Sequence, residues 1–137
     1  MSLRSSHLCV VLSLLLVAAW SPPVSAQSLT GVWKTGTDTE GGYLLVAFEP
    51  CDGGTCGRIT SAFDKAGTPQ PDYEHIDRKI IWDIAARDTD MFDAVVWAPD
   101  TEKTYQAKLE FKQLNLKVSG CVLGGLVCRS QLWSRQQ

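Results

Sequence analysis

Apolar and β-branched residues recur along the chain in short alternating runs, and Gly, Pro, Asp and Asn separate one run from the next. No segment shows the sustained period of an amphipathic helix. The pattern therefore predicts eight strands, near residues 31–34, 43–49, 56–63, 79–84, 92–97, 105–111, 116–122 and 127–135. This number of short strands indicates an all-β fold, and we expect an eight-stranded antiparallel up-and-down barrel, with a sandwich as the alternative.

Three hairpins can be registered from the alternation alone, with turns at "CDGGTC", "KQLN" and Gly124-Gly125. Each register places apolar residues opposite apolar residues, and the first two also place opposite charges together. The expected partners are Cys51 with Cys56, Glu49 with Arg58, Phe48 with Ile59, Leu44 with Phe63, Phe111 with Leu116, Leu109 with Val118, Glu110 with Lys117, and Cys121 with Cys128.

The N-terminus has the pattern of a secretory signal peptide. Arg4 precedes an apolar run over residues 8–20, Pro22-Pro23 ends the run, and Val24-Ser25-Ala26 has the form of a cleavage site. The run is short for a membrane anchor, which is the less favoured alternative. We expect residues 1–26 to be a signal peptide, residues 27–137 to form one domain, and the product to be exported to the periplasm or beyond the cell.

Charge and hydropathy restrict the classes of partner that we expect the chain to bind. The whole chain has 13 basic and 15 acidic residues and a net charge of −2. Without Arg4 there are 12 basic residues against 15 acidic ones, and no basic cluster remains, which argues against nucleic-acid binding. No second long apolar segment follows residue 26, so we expect no membrane span in the mature chain.

Four cysteines remain after residue 26, and an even number in an exported chain predicts two disulfides. Loop entropy alone favours a long-range bridge between Cys51 and Cys128. The hairpin registers favour the local pairs Cys51–Cys56 and Cys121–Cys128 instead. A zinc site is the weaker alternative, because the spacings are not Cys-x-x-Cys and His75 is the only histidine after residue 26.

The two ends of the domain carry residues suited to closing a barrel. We expect Trp33 on the first strand to stack against Arg135 on the last. Alternation places Arg129 and Gln131 on the same inward face as Trp133. A buried arginine needs a partner. Asp93 is the internal candidate if Trp97 faces Tyr105, and the alternatives are an anionic ligand or a guanidinium in water at the barrel mouth.

Several of these residues carry a resemblance to known families. Gly31-Val32-Trp33 with a basic residue on the last strand resembles the lipocalin-like (calycin) barrels. Together with "CDGGTCGRI", "WAPDTEKTY" and "LKVSGCVLGGLVCRSQLWSR", it resembles the secreted bacterial family called domain of unknown function 2147. This resemblance implies a lipocalin-like barrel in the bacterial envelope, with no established activity. Glu102 stands where the family pattern has glycine.

The preferred functional hypothesis is a binding module for a small apolar or amphipathic molecule. Its predicted site residues are Phe48, Trp97, Tyr105, Arg129, Gln131 and Trp133. The alternative is a structural or interaction protein with a packed core and an envelope partner, for which an outer patch at Tyr43, Leu45 and Ala47 is the candidate surface. A glycan hydrolase using two of Asp83, Asp88, Asp90 and Asp93 ranks last, and no cofactor or metal motif is recognised. The loop at residues 64–79 is expected to be a solvated surface loop, with a lid as the alternative.

Overall fold

The computed structural model describes residues 28–137, so the predicted signal peptide and Gln27 lie outside the described part of the chain. Eight antiparallel strands follow one another around a closed barrel in the order of the sequence, which confirms the predicted fold. The strands are β1 (Gly31–Lys34), β2 (Tyr43–Cys51), β3 (Gly54–Phe63), β4 (Lys79–Asp88), β5 (Met91–Ala98), β6 (Lys103–Lys112), β7 (Asn115–Val122) and β8 (Val127–Arg135). Residues 28–137 include no helix that is long and apolar enough to cross a membrane.

The barrel closes through a short seam between β1 and β8. These strands pair only at Trp33 with Arg135 and at Lys34 with Ser134. The remaining part of β8, residues 127 to 133, has β7 as its only strand partner among the described residues. One edge of β8 therefore has no strand partner towards the end of the barrel where β7 turns into β8, although Gly36, just after β1, lies beside Gln131.

The register of the β6–β7 and β7–β8 hairpins agrees with the prediction. Phe111 pairs with Leu116, Leu109 with Val118, and Cys121 with Cys128. The expected two-residue turn is wrong, because the last pair is Val122 with Val127 and four residues connect the strands. The Cα atoms of Cys121 and Cys128, which form a disulfide, are 4.1 Å apart. This short spacing is closer to that of a non-hydrogen-bonded pair than to the wider spacing of a hydrogen-bonded pair.

The register of the β2–β3 hairpin differs from the prediction by two residues over most of its length. Glu49 lies opposite Cys56 instead of Arg58, and Phe48 lies opposite Gly57 instead of Ile59. A shift of two preserves the face on which each side chain lies. The Cys51–Cys56 disulfide and the 3.2 Å ion pair between Arg58 and Glu49 therefore still form, diagonally across the strands.

A register irregularity between Leu45 and Val46 then shifts the open end of the same hairpin by one residue. Tyr43, not Leu44, lies opposite Phe63, and their rings stack with centroids 4.9 Å apart. Lys34 Nζ lies 4.0 Å from the centroid of the Tyr43 ring. Leu45 and Ala47 lie on the face opposite the buried Val46, as the alternation predicts, but Tyr43, Leu45 and Ala47 are each only partly exposed and do not form an exposed patch.

The middle of the barrel is filled by apolar side chains. Trp33, Val46, Phe48, Ile59, Ile81, Leu109 and Leu116 are each less than 2% exposed. Gly57 shows how little space remains, since a Cβ atom there would lie 3.2 Å from both Ile81 Cβ and Val46 Cγ1. Close packing of this kind places the core around the barrel axis and restricts open space to the ends.

Candidate functional site

The end of the barrel where the domain begins is sealed by Trp33 and Arg135. The Trp33 indole donates a 2.9 Å hydrogen bond to the carbonyl of Leu29, and the Arg135 guanidinium lies 4.3 Å from the ring centroid of Trp33. Arg135 also donates to the carbonyls of Thr30, at 2.8 Å, and of Ser28. Gly31 has a φ of +126°, which favours glycine, and a Cβ there would lie 2.9 Å from Arg135 Nη1.

The opposite end of the barrel, called the mouth below, is open along β7 and β8. The register places Val122 and Val127 on the inward face, in the same rows as Gly120 and Arg129. Val122 is 44% exposed and Val127 is 54% exposed, whereas the inward-facing Leu116, deeper in the same strand, is fully buried. Inward-facing apolar side chains are thus accessible from solvent at the mouth.

Two predicted polar site residues, Tyr105 and Arg129, lie near this opening, and the third, Gln131, lies lower in β8 and also lines a groove beside the β6–β7 turn. The Tyr105 hydroxyl is 3.0 Å from the Thr101 hydroxyl, and Gln131 Oε1 accepts a 3.0 Å hydrogen bond from the Trp133 indole. Arg129 is exposed, and its guanidinium makes no hydrogen bond or ion pair within residues 28–137. The free β8 edge is the physical reason, because no β1 residue covers position 129.

The predicted Asp93 partner for Arg129 is wrong. Asp93 is exposed and its carboxylate lies 3.3 Å from Arg87 Nη1. The prediction required Trp97 to face Tyr105, but Val96 faces Tyr105 and Trp97 faces Thr104. This one-residue difference transfers both Asp93 and Trp97 to the opposite side of β5 from the inward-facing Ala94.

Trp97 is instead buried by the loop between β3 and β4, residues 64–78. The edge of the His75 ring meets Trp97 with centroids 4.9 Å apart, and the Arg78 guanidinium lies 3.5 Å from the Trp97 centroid. Tyr73 meets His75 edge-on at 5.2 Å, and Tyr73 and Ile76 pack against the core. The expectation of a solvated loop holds for residues 65–72, which are exposed, and is wrong for Tyr73, His75 and Ile76, which are only partly exposed and lie against the barrel.

The sequence analysis missed that Arg78 and its neighbours cover Trp97, although the loop sequence contains a signal for packing. Tyr73, His75 and Ile76 interrupt an otherwise polar loop at short intervals, which is typical of a segment that packs against a core.

Burial raises the pKa of the Tyr73 hydroxyl above its usual value, and the carboxylates of Glu74, Asp38 and Asp100 raise that pKa further. These acidic groups identify the loop side of the mouth as negatively charged.

Phe48 and Trp133, the two remaining predicted site residues, lie within the filled interior. Phe48 is 1% exposed and Trp133 is 4% exposed, and their rings are 6.4 Å apart. They support the wall and core below the mouth, and contact between either residue and a ligand stays a prediction.

A surface groove of about 590 Å³ lies on the other side of β7 and β8, next to the β6–β7 turn. Lys112, Lys117, Ser130 and Leu132 contribute to its walls. Lys112 Nζ lies 2.7 Å from a Glu110 carboxylate oxygen, and this hydrogen bond is the main cause that lowers the pKa of Glu110. Part of the positive charge beside the groove is therefore neutralised.

The aspartates considered for glycan hydrolysis are all on the surface. Asp83, Asp88, Asp90 and Asp93 are exposed, and Asp93 is already paired with Arg87. Two catalytic carboxylates of a glycosidase flank a bound sugar and have separated pKa values. The surface position of these residues gives no support to that pairing.

Comparisons with known proteins agree with the architecture. A search of curated proteins found no match. A solved structure described as protein HP1028 from Helicobacter pylori, belonging to the lipocalin family, is similar to this chain with a TM-score of 0.62 at 15% identity. The similarity covers 80% of this chain and 84% of that one, and at this identity it shows the fold alone. The model of the family DUF2147, described as an uncharacterized protein conserved in bacteria, matches residues 31–135, and the chain belongs to this family.

Proposed function

We propose that the protein binds a small amphipathic molecule at the barrel mouth, with an anionic group of the ligand on Arg129. The observation that carries the proposal is the inward-facing row at the mouth, where Val122 and Val127 stay about half exposed beside an unpaired guanidinium. Small-molecule sites combine apolar walls with a few polar groups that orient the ligand. Val122, Val127 and Tyr105 supply such walls, and Arg129 supplies the orienting charge.

The filled interior restricts where this ligand lies. Because Phe48, Ile59 and Leu109 occupy the axis of the barrel, a ligand has room at the mouth and not at the centre. The lipocalin-like fold supports the proposal, since eight-stranded barrels of this type have room for one small ligand. Localisation outside the cytoplasm is part of the same proposal, and the two disulfides support it.

The test is a titration of the native protein with an anionic naphthalene-sulfonate probe. We expect the folded protein to raise the probe fluorescence, and Arg129→Gln to weaken probe binding by about tenfold to a hundredfold, since a charge-assisted hydrogen bond contributes about 1.5–3 kcal/mol. Arg87→Gln removes an exposed arginine that lies away from the mouth and is the matched control. Near-ultraviolet circular dichroism checks that each variant remains folded. Equal affinity of the wild type and Arg129→Gln, or no binding to the folded wild type, would contradict the proposal.

A further inference from the structure

The β7–β8 hairpin ends in an apolar tip, defined here as residues 122 to 127. Leu123 is 72% exposed and Leu126 is 86% exposed. The Cys121–Cys128 disulfide lies directly below the tip and joins the two strands that carry it. The tip is therefore a fixed apolar projection from the barrel and not a loosely attached loop.

Leu123 has no evident role in the stability of the fold. Its φ angle is +54°, a left-handed conformation that glycine, asparagine or aspartate adopts at lower cost than leucine. Its side chain points into solvent rather than into the core. A large apolar residue at a position that disfavours it in both respects indicates that the exposed leucine serves a contact outside the chain.

Cationic groups lie beside the tip. Lys108 Nζ is 3.9 Å from the position that a Cβ atom of Gly125 would occupy, and Arg129 follows the tip in β8 with its guanidinium free. The loops on the other side of the mouth, residues 35–42, 64–78 and 99–102, carry eight carboxylates against two basic side chains, Lys65 and Arg78. Three of these carboxylates, Asp38, Glu74 and Asp100, act on Tyr73. Within the described residues, the other side of the mouth is therefore net negative, whereas the groups nearest the apolar tip are cationic.

We propose that this tip docks on an anionic lipid bilayer, with Leu123 and Leu126 in the boundary between headgroups and acyl chains. Lys108 and Arg129 then contact lipid phosphates, in the combination of apolar insertion and basic flanks that interfacial segments use. A stable protein interface needs about 20–30 residues on each side, far more than this six-residue projection offers. The carboxylates across the mouth repel the same surface, so only the tip side makes contact.

The test is co-sedimentation of the exported protein with vesicles of phosphatidylcholine alone or of phosphatidylcholine mixed with phosphatidylglycerol. We expect tighter binding to the mixed vesicles. The double variant Leu123→Ser/Leu126→Ser should weaken binding to the mixed vesicles by at least about tenfold, because both side chains lose their apolar burial. Lys108→Gln should weaken binding to the mixed vesicles and leave binding to phosphatidylcholine unchanged.

Leu114→Ser is the matched control, because Leu114 is an equally exposed leucine, at 85%, in the β6–β7 turn at the opposite end of the barrel. It should bind vesicles as the wild type does. Absence of binding to either vesicle, or equal loss in Leu114→Ser and in the tip variant, would overturn the proposal. The tip variant should still bind the naphthalene-sulfonate probe, since Arg129 is intact, so failure of tip docking and failure of the mouth site give different results.

Discussion

Arg129 and Arg135 lie on the same face of β8, six residues apart, yet their surroundings differ completely. Arg135 lies over Trp33 and donates to two backbone carbonyls of the segment that precedes β1. Arg129 has no partner within residues 28–137 because β1 does not reach it. At the scale of single residues, β1 is long enough to reach Arg135, which has a structural role, and too short to reach Arg129, whose guanidinium stays available to a ligand.

The structural arginine can be tested by Arg135→Lys, which keeps the charge and loses the planar fork. We expect the free energy of unfolding to fall by about 1–2 kcal/mol, since the stack on Trp33 and the paired hydrogen bonds to carbonyls are lost. Urea denaturation measures this change. Arg87→Lys, at an exposed ion pair with Asp93, should change stability by less than about 0.5 kcal/mol. Equal effects of the two substitutions would show that the Arg135 contacts contribute nothing beyond charge.

At the scale of elements, the β3–β4 loop acts as part of the barrel wall. β4 pairs with β3 only at Gly57 with Ile81 and at Arg58 with Lys79. Further along β3 the loop supplies the backbone partners, with the Gln70 amide donating to Ala62 and the Asp77 amide to Ile59. The loop therefore completes a sheet edge that β4 leaves uncovered, while His75 and Arg78 cover Trp97.

Deprotonation of the Tyr73 hydroxyl is expected to lower the stability of the folded protein at alkaline pH. The raised pKa of its hydroxyl means that the unfolded chain loses this proton first as the pH rises above about 10. The contribution of Tyr73 is complete below that pH and is lost as the pH approaches the raised value of the folded state. Urea midpoints measured on both sides of about pH 10 should therefore fall more steeply for the wild type than for Tyr73→Phe. Parallel pH profiles of the two proteins would refute the argument.

At the scale of the whole molecule, the barrel is a packed body with an accessible rim. Its axis is occupied by large side chains, and the exposed apolar residues lie at the mouth, at the tip, at Leu114 and at Leu132. Under the proposed function, this separation lets the core stay in place when a ligand occupies the rim.

The packed interior predicts that added volume is costly at Gly57. Gly57→Ala should destabilise the protein by about 1–3 kcal/mol, because the new methyl group meets Ile81 Cβ and Val46 Cγ1 at 3.2 Å. Gly54→Ala is the control, since its nearest contact would be an ordinary 3.9 Å to the Cys51 carbonyl oxygen. Thermal denaturation distinguishes the two variants. A stable Gly57→Ala protein would indicate a roomier interior and would favour a ligand deeper in the barrel.

Sequence reasoning was most accurate where the information is local. The bounds of β1 and β8 and the registers of the β6–β7 and β7–β8 ladders agree with the structure. Glu102 is instructive, because its φ of +54° explains why the family pattern has glycine at that place. The error at β5 followed from the turn that contains Glu102, where a difference of one residue inverted the faces of Asp93 and Trp97.

By itself, the sequence determined the eight strands, their order and the residues that close one end, and it favoured the local disulfides, because alternation and short turns relate neighbours along the chain. The tertiary structure alone decided that the axis is filled, that β1 stops short of Arg129 and that the loop covers Trp97. These features depend on which side chains meet across the barrel and on irregularities in its registers. Distant contacts of that kind leave no period in the sequence, so only the folded chain reveals the mouth and its free arginine.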